Sequence, residues 1–241
     1  MKPLLKSEWI KIRNTKIWWL LTFSPLLVGI TGMTMPMPEE GPQWVFLLST
    51  GVSIHALLFL PLMVAVFSAY ICRYEHQHNA WKQLFTMPVS RRHVFMAKYV
   101  IVALVIAVNQ CLFFLTYFGV GFTRGLEGAI PWDYLFRSLA GGWVATLPLA
   151  ALTLWVALVW SSFAAAITVN VILTMPNMFV VNSETFGPLY PWAQPFLMML
   201  PQSEGIMGGF FVSVESMMVA VIGGFLVFFI GGLTSIHRKV V

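Results

Sequence analysis

The strongest constraint on this chain is a set of six long apolar runs, at 17–35, 44–72, 99–122, 139–160, 163–181 and 210–236. A helix needs roughly 20 apolar residues to cross the hydrocarbon core of a bilayer, and each run is about that length or longer. Inside lipid the backbone has no water to bond, so a lone span must close its hydrogen bonds within itself and is helical. A barrel would instead show alternating segments of about ten residues, and none occur. Charged residues make up 10% of the sequence, against roughly a quarter in a soluble domain. That is too few to clothe a water-exposed surface. The expected fold is therefore an all-α, polytopic membrane protein with six transmembrane helices, forming one domain over 1–241.

The net charge of +5 does not mark a nucleic-acid partner, because the bases follow the spans and do not gather in one patch. With the N-terminus in the cytoplasm, Lys2, Lys6, Lys11, Arg13, Lys16, Arg73, Lys82, Arg91, Arg92, Lys98, Arg238 and Lys239 all lie on that side. These are twelve of the fourteen Lys and Arg residues; Arg124 and Arg137 lie opposite. Glu39, Glu40, Glu127, Asp133, Glu184 and Glu204 also lie opposite. Positive residues stay on the cytoplasmic side, so both termini are expected there. Cys72 and Cys111 fall at the end of a span and within one, which gives no disulfide framework. The run after Lys16 is long, Trp-rich and without a small-residue cleavage site, so it reads as a span and not as a cleaved signal.

Two polar segments break the apolar pattern. In 1–16, Leu5, Trp9 and Ile12 fall within about one-fifth of a helical turn, with Lys2, Lys6 and Arg13 beside them. This predicts a helix in the lipid interface with its bases near anionic headgroups, although Glu8 intrudes on the apolar arc and Ile10 lies off it. The second segment, "RYEHQHNAWKQLFTMPVSRRHVFMAK" at Arg73–Lys98, carries one acid against five bases. Ala80, Trp81, Leu84 and Phe85 recur on one face of a short helix; His76, His78, Asn79, Lys82 and Gln83 make its polar remainder. Met87 precedes Pro88 and is biased out of helix. Ser90 then stands where it would cap a second helix, which runs through Arg91, Arg92 and Lys98 into the third span. The stripe with Trp81 and Phe85 needs cover from lipid, from the chain's own helices or from a partner.

"SEWIKIRNTKIWW" at Ser7–Trp19 and "EHQHNAWKQLFTMPVSRRHVFMAK" at Glu75–Lys98, two spans apart, resemble the small six-span ABC-2 type permeases. The likeness is greatest to the lantibiotic-protection and bacitracin-resistance group of Gram-positive bacteria. The motif residues are Glu75, Asn79, Ala80, Trp81, Lys82, Leu84, Pro88, Val89, Ser90, Arg91, Ala97 and Lys98, with Ala80 where threonine is more usual. The resemblance implies that 1–16 is an elbow helix. It also implies that 75–87 is a coupling helix that docks on an ATP-binding subunit, with Glu75, Trp81, Lys82, Leu84, Phe85 and Arg91 as coupling residues and Trp81, Leu84 and Phe85 as its anchors. It implies a bacterial plasma membrane, two ATPase subunits carrying ATP with Mg, a second permease identical or homologous to this one, and an amphipathic peptide as cargo.

The chain has no G-x-x-x-x-G-K-[ST] to cradle phosphates, so ATP hydrolysis is expected on a separate subunit and no cofactor on this one. His76 and His78 lack Cys or carboxylate companions at zinc-ligand spacing, and no metal site is expected. Polar side chains inside spans are costly and are functional candidates by default. Here they are His55, Asn109, Gln110, Asn170 and Glu215, with helix–helix hydrogen bonding as the plainer reading for Asn109, Gln110 and Asn170. Pro25, Pro61, Pro148 and Pro176 lie inside spans, where neighbouring helices must satisfy the freed carbonyls. Gly223, Gly224, Gly231 and Gly232 give the sixth span a smooth face for close packing. The segment 182–209 is too short to span twice and is expected to dip into the outer leaflet and return. The expected function is export of a lantibiotic or similar membrane-active peptide. The alternatives are export of bacitracin, another small amphiphile or an ion, a non-transporting structural or sensory six-span protein, and an intramembrane enzyme, which lacks its catalytic motifs.

Overall fold

The computed structural model describes residues 1–77, 80–86, 88–200 and 214–238, among which every regular element is a helix. The expected residues His78, Asn79, Met87, Glu204 and Lys239, the Phe85 side chain and the segment 201–213 lie outside the described residues. A short helix α1 (Lys2–Arg13) precedes the spans. Six helices are long and apolar enough to cross a membrane: α2 (Lys16–Thr34), α3 (Gln43–His76), α5 (Arg91–Thr123), α6 (Trp132–Val159), α7 (Phe163–Val180) and α9 (Glu215–Arg238). Two further helices are short: α4 (Ala80–Thr86) between α3 and α5, and α8 (Gln194–Met199) between α7 and α9. The protein is an all-α, multi-pass membrane protein.

The spans run past their expected limits where polar residues stay helical. α5 begins at Arg91, because Ser90 takes an extended conformation and its carbonyl accepts from Val94 N. The Ser90 hydroxyl makes no capping bond, unlike the expectation. α6 begins at Trp132 instead of 139. At the other end of α1, the Ile12 carbonyl accepts from Thr15 Oγ1 at 2.7 Å and from Trp18 Nε1 at 2.8 Å. This closes a helix end whose carbonyls have no partner of their own and fixes the angle at which α2 departs.

The four in-span prolines explain two of the buried amides. A proline removes the donor for the carbonyl four residues earlier. Pro25 frees Leu21 O, and Asn109 Nδ2 on α5 donates to it at 2.9 Å. Pro61 frees Leu57 O, and Asn177 Nδ2 on α7 donates to it at 2.7 Å. Just before Pro61, α3 widens into a π turn over His55–Phe59, a local defect of the kind that bends helices. The smooth face of α9 meets aromatic rings. A Cβ added at Gly231 would lie 2.5 Å from the Trp155 ring, and one at Gly232 would lie 2.5 Å from Phe95. Gly223 faces open space, so the packing argument holds for the second glycine pair.

After α7 the chain turns inward. Trp192, Ala193, Gln194, Met198 and Met199 are buried, and the Met199 carbonyl accepts from Ser138 Oγ at 2.5 Å. The described part of 182–209 therefore folds back against α6 and the π turn of α3. If Asn109 is present to satisfy the carbonyl that Pro25 frees, Asn109→Leu should cost about 1–3 kcal/mol, the penalty of an unsatisfied buried acceptor. Pro25→Ala restores a backbone donor to Leu21 O, so the double variant should recover most of that loss in thermal unfolding in detergent. An additive double variant would refute the pairing.

Candidate functional site

Where α1, α3 and α5 meet, four charged side chains form a closed square. Lys98 Nζ on α5 donates to Glu8 Oε2 on α1 at 2.9 Å, to Glu75 Oε2 on α3 at 2.8 Å and to Ile71 O at 2.8 Å. An ammonium has three protons, and all three are engaged. Lys11 Nζ donates to the second oxygen of each acid: Glu8 Oε1 at 2.7 Å, and Glu75 Oε1. Lys98 is 0% exposed, both acids are 2% exposed and Lys11 is 18% exposed. Two acids against two bases leave the square neutral, which is what lets it sit out of water.

α4 is laid directly over this square. Its Trp81 is buried, with Lys98 Nζ 5.9 Å from the centre of the ring, within cation–π range. The indole meets His76 edge-on, and its Nε1–H donates to His76 Nδ1 at 3.3 Å. His76 Nε2 lies 2.8 Å from the Ala157 carbonyl at the end of α6. An indole only donates and a carbonyl only accepts, so the imidazole is the neutral tautomer with its proton on Nε2.

The expected coupling residues are thus divided. Glu75 is in the square. Trp81 faces the protein's own helices and is not an exposed anchor, because its indole lies over Lys98 and against His76. Lys82, Gln83 and Thr86 make the exposed face. Leu84 is partly buried and lines a groove of about 520 Å³ between α1 and α4, with Leu4, Lys11, Pro88 and Val89. Arg91 reaches the far end of α9, donating to His237 O at 2.8 Å. Arg92 Nε does likewise to His237 Nε2 at 2.9 Å.

The polar residues within the spans make local hydrogen bonds, although Asn109 Oδ1 and Asn170 Oδ1 are buried without a partner. His55 is fully buried between Ser24 Oγ at 2.7 Å and Gln110 Oε1 at 3.2 Å, and stacks on Phe113. Gln110 Nε2 contacts Met199 Sδ at 3.3 Å. Asn109 holds the Leu21 carbonyl that Pro25 frees. Asn170 donates to Ala166 O on its own helix at 3.0 Å. Glu215 lies in the first described turn of the last helix and is exposed, where an acid complements the helix dipole. Sequence reasoning did not assign roles to Glu8, Lys11 and Lys98. The signal was the misfit of Glu8: it lies at i+3 from Leu5 and i−4 from Ile12, on the face that turns inward. The expected apolar arc needs a matching correction, since Trp9 is exposed and meets Trp18 edge-on, and Ile12 is buried in the bundle.

Residues 4–177 match the family model described as ABC-2 family transporter protein. The chain belongs to the ABC-2 transporter family. A bacitracin transport permease protein of Bacillus licheniformis is 25% identical over 147 residues, which cover 60% of this chain and 69% of that one. The match to the family spans all four members of the square and the whole of α4. Permeases of this family are membrane subunits of ABC transporters and work with a separate ABC ATPase subunit. The permease reading gives the square a place: it lies under the short helix that the family motif marks. Lys98→Met should cost about 3–5 kcal/mol, because it leaves two buried carboxylates with one partner. Combining it with Glu75→Gln should recover part of that loss in detergent unfolding. A fully stable single variant would show that the square carries no such charge balance.

Proposed function

We propose that this permease is the membrane half of an exporter that protects a bacterium from a membrane-active peptide antibiotic, with α4 as the docking helix for the ATPase. One observation carries this reading: α4 is anchored inward by Trp81 over the buried square, while Lys82, Gln83 and Thr86 are left exposed. An element anchored this firmly moves with the spans beneath it, and its outer face is free for a partner. The segregation of bases supports a cytoplasmic position for that face, α1 and both termini. A second permease, identical or homologous, and two ATPase subunits would complete the transporter. ATP binding would draw the ATPases together and push α4.

The cargo we favour is a lantibiotic or a similar amphipathic peptide taken from the outer leaflet. Bacitracin is the second reading, supported by the likeness to the Bacillus licheniformis permease. Expression of the chain with its ATPase in a sensitive host should raise the inhibitory concentration of one of these peptides. Resistance to neither, with the complex formed, would reject the cargo class. Lys82→Glu changes only the exposed face, so it should release the ATPase in co-purification and leave the permease folded. A complex that survives this change with full resistance would move the docking surface elsewhere.

A further inference from the structure

The end of α6 depends on a side chain from another helix. The last four carbonyls of a helix lack donors of their own. α6 stops at Val159 because Trp160 is extended, and Trp160 N closes only onto Val156 O. Ala157 is buried and lines a small cavity of about 130 Å³ with His76 and Arg73. His76, the last residue of α3, donates Nε2–H to that carbonyl while its Nδ1 accepts from the Trp81 indole. One imidazole therefore joins α4 to the closing turn of α6. The neighbouring Arg73, one turn back on α3, lies with its guanidinium 5.3 Å over the Phe163 ring at the start of α7. The turn between α6 and α7 is held to α3 from both sides.

We infer that His76 is a positioning residue that transmits displacement of the α4 docking helix to the turn between the fourth and fifth spans. The inference rests on the reading of α4 as the docking helix. A push on α4 moves the indole, the indole carries the imidazole, and the imidazole carries the end of α6. The Lys98 contact sends the same displacement toward α5, so the two routes part at Trp81. The two atoms of His76 have different duties. Nε2–H caps α6 and serves the fold; Nδ1 links to α4 and serves transmission.

That division makes the proposal testable. A fluorescent label at Ser161→Cys, in a Cys111→Ser background, reports on the exposed turn after α6 in the purified complex with its ATPase, without any cargo peptide. Addition of ATP with Mg should change the signal in the otherwise wild-type chain. Trp81→Phe removes the donor together with one ring of the indole, so unfolding, complex formation and ATP hydrolysis are measured in the same variant and the signal change is read per mole of intact complex. The substitution should reduce the signal change about fivefold, the equivalent of one lost neutral hydrogen bond. His76→Leu should reduce it equally and also lower stability, because Ala157 O is left unsatisfied. His76→Gln offers both an acceptor and a donor and should restore most of the response. A full response in Trp81→Phe overturns the role of His76 while leaving α4 as the docking helix. Failure of the wild-type chain to bind its ATPase overturns the docking reading and this assignment with it.

Discussion

The three protons of Lys98 set the geometry on which the rest of this end of the molecule is built. Each is directed to an oxygen from a different source: an acid on α1, an acid on α3 and a backbone carbonyl of α3. A buried ion pair is weak support for net stability, because desolvation offsets most of the attraction. What it enforces is register. If α1 slid by one residue, Glu8 would leave the square and the two bases would share one acid. The square thus fixes where α1 crosses α3 and α5, and the ammonium it holds in place is the floor on which Trp81 rests.

A second constraint governs the middle of the bundle. Prolines bend spans at the cost of an unpaired carbonyl, and in lipid that carbonyl needs a donor from a neighbour. Asn109 and Asn177 provide it for Pro25 and Pro61. The Pro61 pairing joins the bend of α3 to α7, and Asn177 also donates to Trp192 O. One amide thereby holds the bend in the second span and the segment that folds inward after the fifth. Because α3 ends at His76, its bend and its contact with α4 are two points on one continuous helix.

The all-helical class and the number of spans were legible because apolar length and a 3.6-residue period are local properties; the expected helix at 75–87 was too long at its start, because Glu75 and His76 still belong to α3 and Gln77 is extended. Resemblance supplied the motif, and with it the interest in Glu75 and Trp81. The inward direction of Trp81 was not legible. A periodic apolar stripe shows that a face is covered and is silent on what covers it; here the cover is Lys98 and His76, residues 17 positions later and five earlier. The square was hidden for a related reason. Its members lie up to 90 residues apart, and two of them sit among bases that the topology rule already explains. Glu8 was the exception, a charge on an apolar arc with no local account. His55 misled in the other direction: a lone imidazole in a span reads as chemistry, and the structure closes it between a serine and a glutamine.

The inward indole also changes what a docking helix can do. A helix held to its partner by an exposed aromatic, and to its own protein by a flexible linker, would follow the partner and leave the spans behind. α4 has the opposite bias. Its large side chain is seated on the permease, against an ammonium on α5 and an imidazole at the end of α3, while Lys82, Gln83 and Thr86 are exposed. On the proposed docking reading, force applied at Lys82, Gln83 and Thr86 passes through α4 into the spans beneath it. The contact with the partner can be modest in strength, because transmission depends on the rigidity beneath α4 more than on the grip above it. The square with its overlying indole is a charge-neutral joint that ties α1, α3, α4 and α5 together.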